Sequence, residues 1–271
     1  MTRLRLGLST CPNDTFLFHG LLASQVPTPG LELELVLADV EALNTALAAG
    51  ELEAGKASFA TALRLADRYG VLPVGAALGF GVGPVLLARS GLRGEPRSVL
   101  CPGEGTTATL LLRALHPGLF EAGAVRQVRF DRIMPALQRG EADAGVAIHE
   151  GRFTYERFGL ELREDLGASW ERLTGGPVPL GGLLARLDLG PAVHAALTRA
   201  LRASLAFGRA HPEDALLTMR RHAQELDDAV IWRHVELYVN ESTAELGSGG
   251  RAALAELERR AGAPAGLTIL G

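Results

Sequence analysis

Ala46-Leu47-Ala48-Ala49-Gly50-Glu51-Leu52-Glu53-Ala54-Gly55 returns ninety residues later as Ala136-Leu137-Gln138-Arg139-Gly140-Glu141-Ala142-Asp143-Ala144-Gly145. Six of the ten positions are identical and a seventh exchanges Glu for Asp. Each copy reads as a helix end, a glycine carboxyl cap, an acidic turn and a short buried strand. One supersecondary unit used twice gives two lobes on a shared plan; the plainer alternative is two ordinary helix-to-strand turns of similar chemistry.

Outward from the first copy, Leu4–Leu8 and Leu31–Leu37 read as strands, and Thr15–Ser24 and Val40–Ala49 as helices. Short strands follow at Glu53–Ala57, Pro73–Ala77 and Pro84–Arg89, with a helix over Phe59–Tyr69. The run Ser90–Pro96 reads as a connection, and alternation resumes with Ser98–Cys101, Thr106–Leu115, Val125–Phe130 and Ile133–Arg139. Pro177–Arg186 reads as a strand, and Pro191–Ala210, Pro212–Gln224, Asp227–Tyr238 and Gly250–Ala261 have helical spacing. This is an α/β chain. Lobe 1 is expected over residues 1–94 plus 180–271 and lobe 2 over 95–179, with the helical tail packed on lobe 1.

Composition narrows the class. With 271 residues, 47% hydrophobic and 21% charged, the chain can bury a real core and is not mainly disordered. A formal net charge of −4 leaves no broad basic field, so nucleic acid is not an expected partner. Cys11 and Cys101 form no disulfide framework or metal pattern. Polar residues Cys11, Asn13 and Asp14 interrupt the run that a secretory signal would need, and no apolar stretch reaches the roughly 20 residues of a membrane span. A cytoplasmic protein without membrane or nucleic-acid partners is expected; a homodimer is kept open.

In α/β sheets ligands gather beyond the carboxyl ends of strands, and four such ends carry chemistry. Ser9-Thr10-Cys11-Pro12-Asn13-Asp14 offers hydroxyls and a helix start, with Ser9 and Asn13 as candidate contacts. Lys56, Ala57 and Ser58 end the first repeat. Of 27 Lys plus Arg residues only Lys56 is lysine; it is either a compact ammonium that a guanidinium cannot replace or a chance survivor. Pro102–Thr109 places Thr106, Thr107 and Ala108 at a helix start, which suits a single carboxylate; simple capping is the alternative. Beyond the second repeat comes Ile148-His149-Glu150-Gly151-Arg152-Phe153-Thr154-Tyr155. His149 leaves a buried strand directly and is the candidate general base, Glu150 and Arg152 lying nearby to tune it. The other six histidines fall in or beside helices, where exposure is the usual fate, and none makes a metal pattern. The cluster Gly79-Phe80-Gly81-Val82-Gly83 lacks dinucleotide spacing and suits a bend, a close approach or an ordinary loop.

Ser9–Phe16, Gly83-Pro84, Asp131-Arg132-Ile133 and Ile148–Tyr155 together resemble the 1,4-dihydroxy-6-naphthoate synthase family of the futalosine route to menaquinone, over essentially the whole chain. The resemblance implies a two-lobe type II periplasmic-binding-protein-like fold with the ligand between the lobes. It also implies a lyase acting on cyclic dehypoxanthine futalosine, with His149 as proton acceptor and substrate contacts at Lys56–Ser58, Thr107 and Ala108. No metal or redox cofactor is expected; Gly79–Gly83 are candidates for easing lobe closure, Cys11, Asp14 and Tyr155 are left without roles, and Arg152 has none beyond tuning His149. Two rival readings stand beside it: a cytoplasmic small-carboxylate binding module without catalysis, and chorismate dehydratase of the same pathway.

Overall fold

The computed structural model of the chain describes residues 1–223, 227–263 and 266–271. Its strands are β1 (Thr2–Ser9), β2 (Leu31–Ala38), β3 (Ala54–Ser58), β4 (Tyr69–Val71), β5 (Ala77–Gly79), β6 (Val85–Arg89), β7 (Val99–Cys101), β8 (Val125–Gln127), β9 (Ala144–Ala147), β10 (Leu160–Asp165) and β11 (Val178–Arg186). They form two sheets in two compact units: Met1–Gly79 with Pro179–Gly271, and Phe80–Val178.

The first sheet runs β2-β1-β3-β11-β4, with β5 also on β11; β1 is parallel to β2 and β3, and β11 is antiparallel to β3 and β4. Along β1 the alternation of Leu4, Leu6 and Leu8 with polar or small residues puts the leucines on one face, all nearly fully buried. Leu197, Leu201 and Leu205, one stripe of the helix Pro191–Ala210, enter the same core. The helical tail therefore covers the first sheet, as its apolar spacing requires.

The second sheet runs β10-β6-β9-β7-β8, with β7 parallel to β8 and β9, and β6 antiparallel to β9 and β10. Three parallel strands flanked by one antiparallel strand thus occur twice: β2-β1-β3 beside β11, and β8-β7-β9 beside β6. The repeated decapeptide builds equivalent parts of each. Gly50 and Gly140 follow their helices at φ +74° and +79°. Gly50 N–H donates to Leu47 O and Glu51 N–H to Ala46 O; Gly140 and Glu141 donate likewise to Leu137 and Ala136. Both ends are Schellman caps, which need the left-handed residue that glycine supplies. The acidic position also has a common task. The Glu53 carboxylate accepts from Arg5 N–H at 2.8 Å, and that of Asp143 from Arg97 and Ser98 N–H at 2.9 and 3.1 Å, so each acid satisfies backbone donors near the adjacent strand.

Local reading and structure part company where sheet partners decide. The first crossing lies at Gly79/Phe80 and not near residue 94, because β6 hydrogen-bonds to β9 and β10 in the second unit. The expected helix Phe59–Tyr69 stops at Arg64, and Tyr69 starts β4 against β11. Of the expected strand Pro73–Ala77 only Ala77 is in a strand, as the first residue of β5, and β4 ends at Val71. β8 is shorter than Val125–Phe130. β10 and the helix Leu166–Thr174 had no counterpart in the sequence reading. Helix Pro212–His222 ends before the expected Gln224, which lies outside the described residues, and the last helix begins at Gly247.

Candidate active site

Registers fix which strand ends are neighbours. Gly7 of β1 lies opposite Gly55 of β3, so the chain leaving Ser9 and the chain leaving Ser58 emerge at one edge of the first sheet. Leu100 of β7 lies opposite Gly145 of β9, so the loops after Cys101 and Ala147 share an edge of the second.

In the first unit Cys11 precedes the helix Pro12–Leu17, with proline in its first turn and no side-chain cap. Ser9 Oγ accepts from Cys11 N–H at 3.2 Å, which tightens the turn out of β1. Asp14, in the first helical turn, faces Lys56: Nζ to Oδ1 is 2.8 Å, with side-chain exposures of 7% and 3%. Lys56 also donates to Gly75 O at 3.1 Å. The ammonium is thus compensated in place by a buried carboxylate, which the sequence reading had left without a role. Asn13 donates from Nδ2 to Asp14 Oδ1 at 3.0 Å and receives His234 on Oδ1 at 2.9 Å. Both ends of that amide are used by the protein. Ala57 sits within β3 opposite Gly182. Ser58 N–H donates to Asn44 Oδ1 at 2.9 Å, and Asn44 Nδ2 donates to Ser58 Oγ at 3.3 Å. Lys56 and Ser58 share a strand face, yet their side chains belong to separate networks.

Gly75 holds its carbonyl on Lys56 from φ +86°, and a Cβ there would lie 2.4 Å from Leu183 Cδ1. Gly75→Ala combines left-handed strain with overpacking, so a loss of about 3 kcal/mol in unfolding free energy is expected from urea titration. A midpoint unchanged from wild type would contradict that.

In the second unit Thr106 caps the helix Thr107–Leu115, its hydroxyl accepting from Thr109 N–H at 3.2 Å and donating to Gly103 O at 2.7 Å. Gln127 of β8 steadies the loop by accepting from Gly103 N–H at 3.0 Å. Thr106 is therefore occupied as a cap, and Thr107 and Ala108 carry the first N–H groups of the helix. Beneath them Cys101 is fully buried; burial pushes its thiol up to about 12, against a smaller opposing effect of the Thr109 hydroxyl. Its thiolate fraction near pH 8 falls roughly a thousandfold below that of a free thiol. Alkylation mapped by mass spectrometry should leave Cys101 unmodified until the chain unfolds, and modification in the folded state would contradict this. Because folding raises this value, the contribution to stability is complete below the unfolded value of 9.0 and is lost as pH rises through about 12.

His149 follows β9 at φ +55°, one of two non-glycine residues with positive φ among those described. A left-handed histidine is uncommon and stores about 1 kcal/mol or more, a cost that concentrates at functional positions. Its ring meets Phe130 edge-on, centroids 5.2 Å apart at 79°, and its Nε2 is shielded from solvent. The turn is closed by Gly151 N–H on Ile148 O at 3.1 Å. The repeat partner Phe59 instead opens a helix directly after β3 and is fully buried. Duplicated scaffolds thus diverge where one strand end carries an imidazole.

Arg152 donates to Gly83 O at 3.2 Å and to Asp165 Oδ2 at 2.5 Å, while Asp165 caps the helix Leu166–Thr174; this ties the His149 turn to β6 and to that helix. Gly83, at φ +122°, allows a close approach, since a Cβ would lie 2.9 Å from Gly167 Cα. Tyr155 packs against the second unit's core. The exposure expected for the other histidines fails for His19, His194 and His234, which are 3%, 5% and 1% exposed.

A family model described as menaquinone biosynthesis matches residues 4–263. The chain belongs to the menaquinone-biosynthesis family. Among its relatives in this family, a 1,4-dihydroxy-6-naphthoate synthase of Thermus thermophilus is 49% identical over 95% of this chain and 93% of that protein. One of Streptomyces coelicolor is 41% identical over 99% and 96%. A crystal structure from Archaeoglobus fulgidus, 33% identical, superposes with a TM-score of 0.88 over 96% of this chain and 97% of that one. The periplasmic aliphatic sulphonate binding protein of Escherichia coli, 16% identical, gives 0.64 over 96% and 85%, which places this menaquinone-biosynthesis chain in the periplasmic-binding-protein fold. No helix among the described residues is long and apolar enough to cross a membrane.

Proposed function

We propose that this chain is a 1,4-dihydroxy-6-naphthoate synthase, a carbon–carbon lyase that converts cyclic dehypoxanthine futalosine to 1,4-dihydroxy-6-naphthoate. The observation that carries the reading is near full-length similarity, at 49% and 41% identity, to two proteins of that name. The strained His149 at the carboxyl end of β9 supports the assignment of the base.

In this mechanism His149 takes a proton from the spiro-cyclic substrate. The electron pair released forms a new double bond in the ribose-derived fragment as its carbon–carbon bond to the ring breaks; the pair of the broken bond passes into the ring system as an enolate, which regains a proton from the imidazolium and becomes aromatic. The substrate carboxylate is held at the start of helix Thr107–Leu115 by the N–H groups of Thr107 and Ala108, where the helix dipole favours an anion. Thr106 builds that end as its cap. In the first unit Lys56, neutral overall with Asp14, acts as a hydrogen-bond donor and not as a free positive charge.

Incubation of the purified chain with cyclic dehypoxanthine futalosine and, separately, with chorismate tests the assignment by mass spectrometry. The naphthoate is expected from the first and no turnover of the second. Consumption of chorismate alone, or recovery of both compounds unchanged from folded protein, would overturn it.

A further inference from the structure

A buried hydrogen-bond chain in the first unit is longer than the substrate-binding role of Lys56 requires. It begins on the helix Asp228–Tyr238 at His234, 1% exposed, whose ring lies 4.5 Å from that of Tyr238. It passes through Asn13 and Asp14 to Lys56 and ends on Gly75 O.

The direction of every bond follows from one group. A carboxylate only accepts, so the Asn13 atom 3.0 Å from Asp14 must be Nδ2. Asn13 Oδ1 then faces His234, and His234 Nε2 must carry the hydrogen it donates across 2.9 Å. Asp14 Oδ1 thereby receives two donors, the Asn13 amide and the Lys56 ammonium. Without His234 the Asn13 amide can rotate, Asp14 loses one donor, and the ammonium loses the fixed anion that sets its position.

We propose that His234 is a positioning residue which acts through Asn13 and Asp14 to hold the Lys56 ammonium at the carboxyl end of β3. The proposal rests on the functional reading only where it assigns Lys56 to substrate. A histidine 221 residues from Asn13 in sequence thus links the helical tail to the strand end that bears the sole lysine.

That single lysine supplies the test. The full chain labelled with [ζ-15N]lysine has one side-chain ammonium signal. His234→Phe keeps a ring against Tyr238 but removes the donor, and His234→Gln restores one. In His234→Phe the ammonium protons should exchange with water at least tenfold faster, or the signal should be lost, and KM should rise more than kcat falls. His234→Gln should recover both. An unmoved signal in folded His234→Phe would overturn the proposal. If that variant does not fold, the imidazole nitrogen shifts of the wild type decide: the Nε2–H form supports the chain, and the Nδ1–H form overturns it. A wild-type chain that turns nothing over would count against the functional reading alone, since the ammonium signal is read without substrate.

Discussion

His149→Asn is expected to lower kcat by about 10²- to 10⁴-fold, the usual contribution of a positioned general base. Asparagine is chosen because it tolerates left-handed backbone, so the turn at φ +55° should persist and the loss should report chemistry. His149→Gly sharpens the test. Glycine relieves the strain of that turn, so its unfolding midpoint should stay close to wild type while turnover is lost equally. A variant that loses activity and stability together would point to a structural histidine packed on Phe130. Steady-state rates with circular dichroism melts of the same preparations distinguish these outcomes.

The second large effect is on stability. Lys56→Met leaves the Asp14 carboxylate, 2% exposed, without its counter-charge, and a loss of about 3–5 kcal/mol is expected. The double variant Lys56→Met/Asp14→Asn removes both charges and keeps an acceptor for Asn13, so most of that loss should be regained. Urea denaturation of the two single variants and the double variant measures the coupling. If Lys56→Met alone cost under about 1 kcal/mol, the pair would behave as a solvated surface bridge and the buried network would be misassigned. If the double variant folds yet binds substrate poorly, the lysine serves recognition as well as stability.

What the sequence made legible was local. Gly50 with Gly140, and Glu53 with Asp143, could be paired by eye because a helix cap and the turn after it are written within ten residues. His149 was legible as the residue leaving a buried strand, and Lys56 as the sole lysine. Partnerships between distant residues were not legible. β6 reads as one more strand of the first lobe until β9 and β10 are seen to flank it. β10 was missed because Leu160-Glu161-Leu162-Arg163-Glu164-Asp165 is mostly polar, as befits a strand paired only through β6. Asp14 and Lys56 pair across the fold, and neither segment marks the other as its partner. His234 was read as an exposed helical histidine, because nothing within its own helix announces that Asn13 lies against it. Asn44, Gly75 and Phe130 escaped for the same reason. A capped turn carries its own signal, whereas a hydrogen bond across the fold leaves none in either segment.

The most direct test of the central claim is a single-turnover experiment with enzyme in excess over cyclic dehypoxanthine futalosine, comparing wild type with His149→Asn by rapid quench and mass spectrometry. Excess enzyme keeps substrate bound, so the rate reports chemistry and not affinity. With His149 as the base, 1,4-dihydroxy-6-naphthoate appears from wild type and at least about 100-fold more slowly from the variant. Equal rates from the two, or no naphthoate from folded wild-type protein, would contradict it.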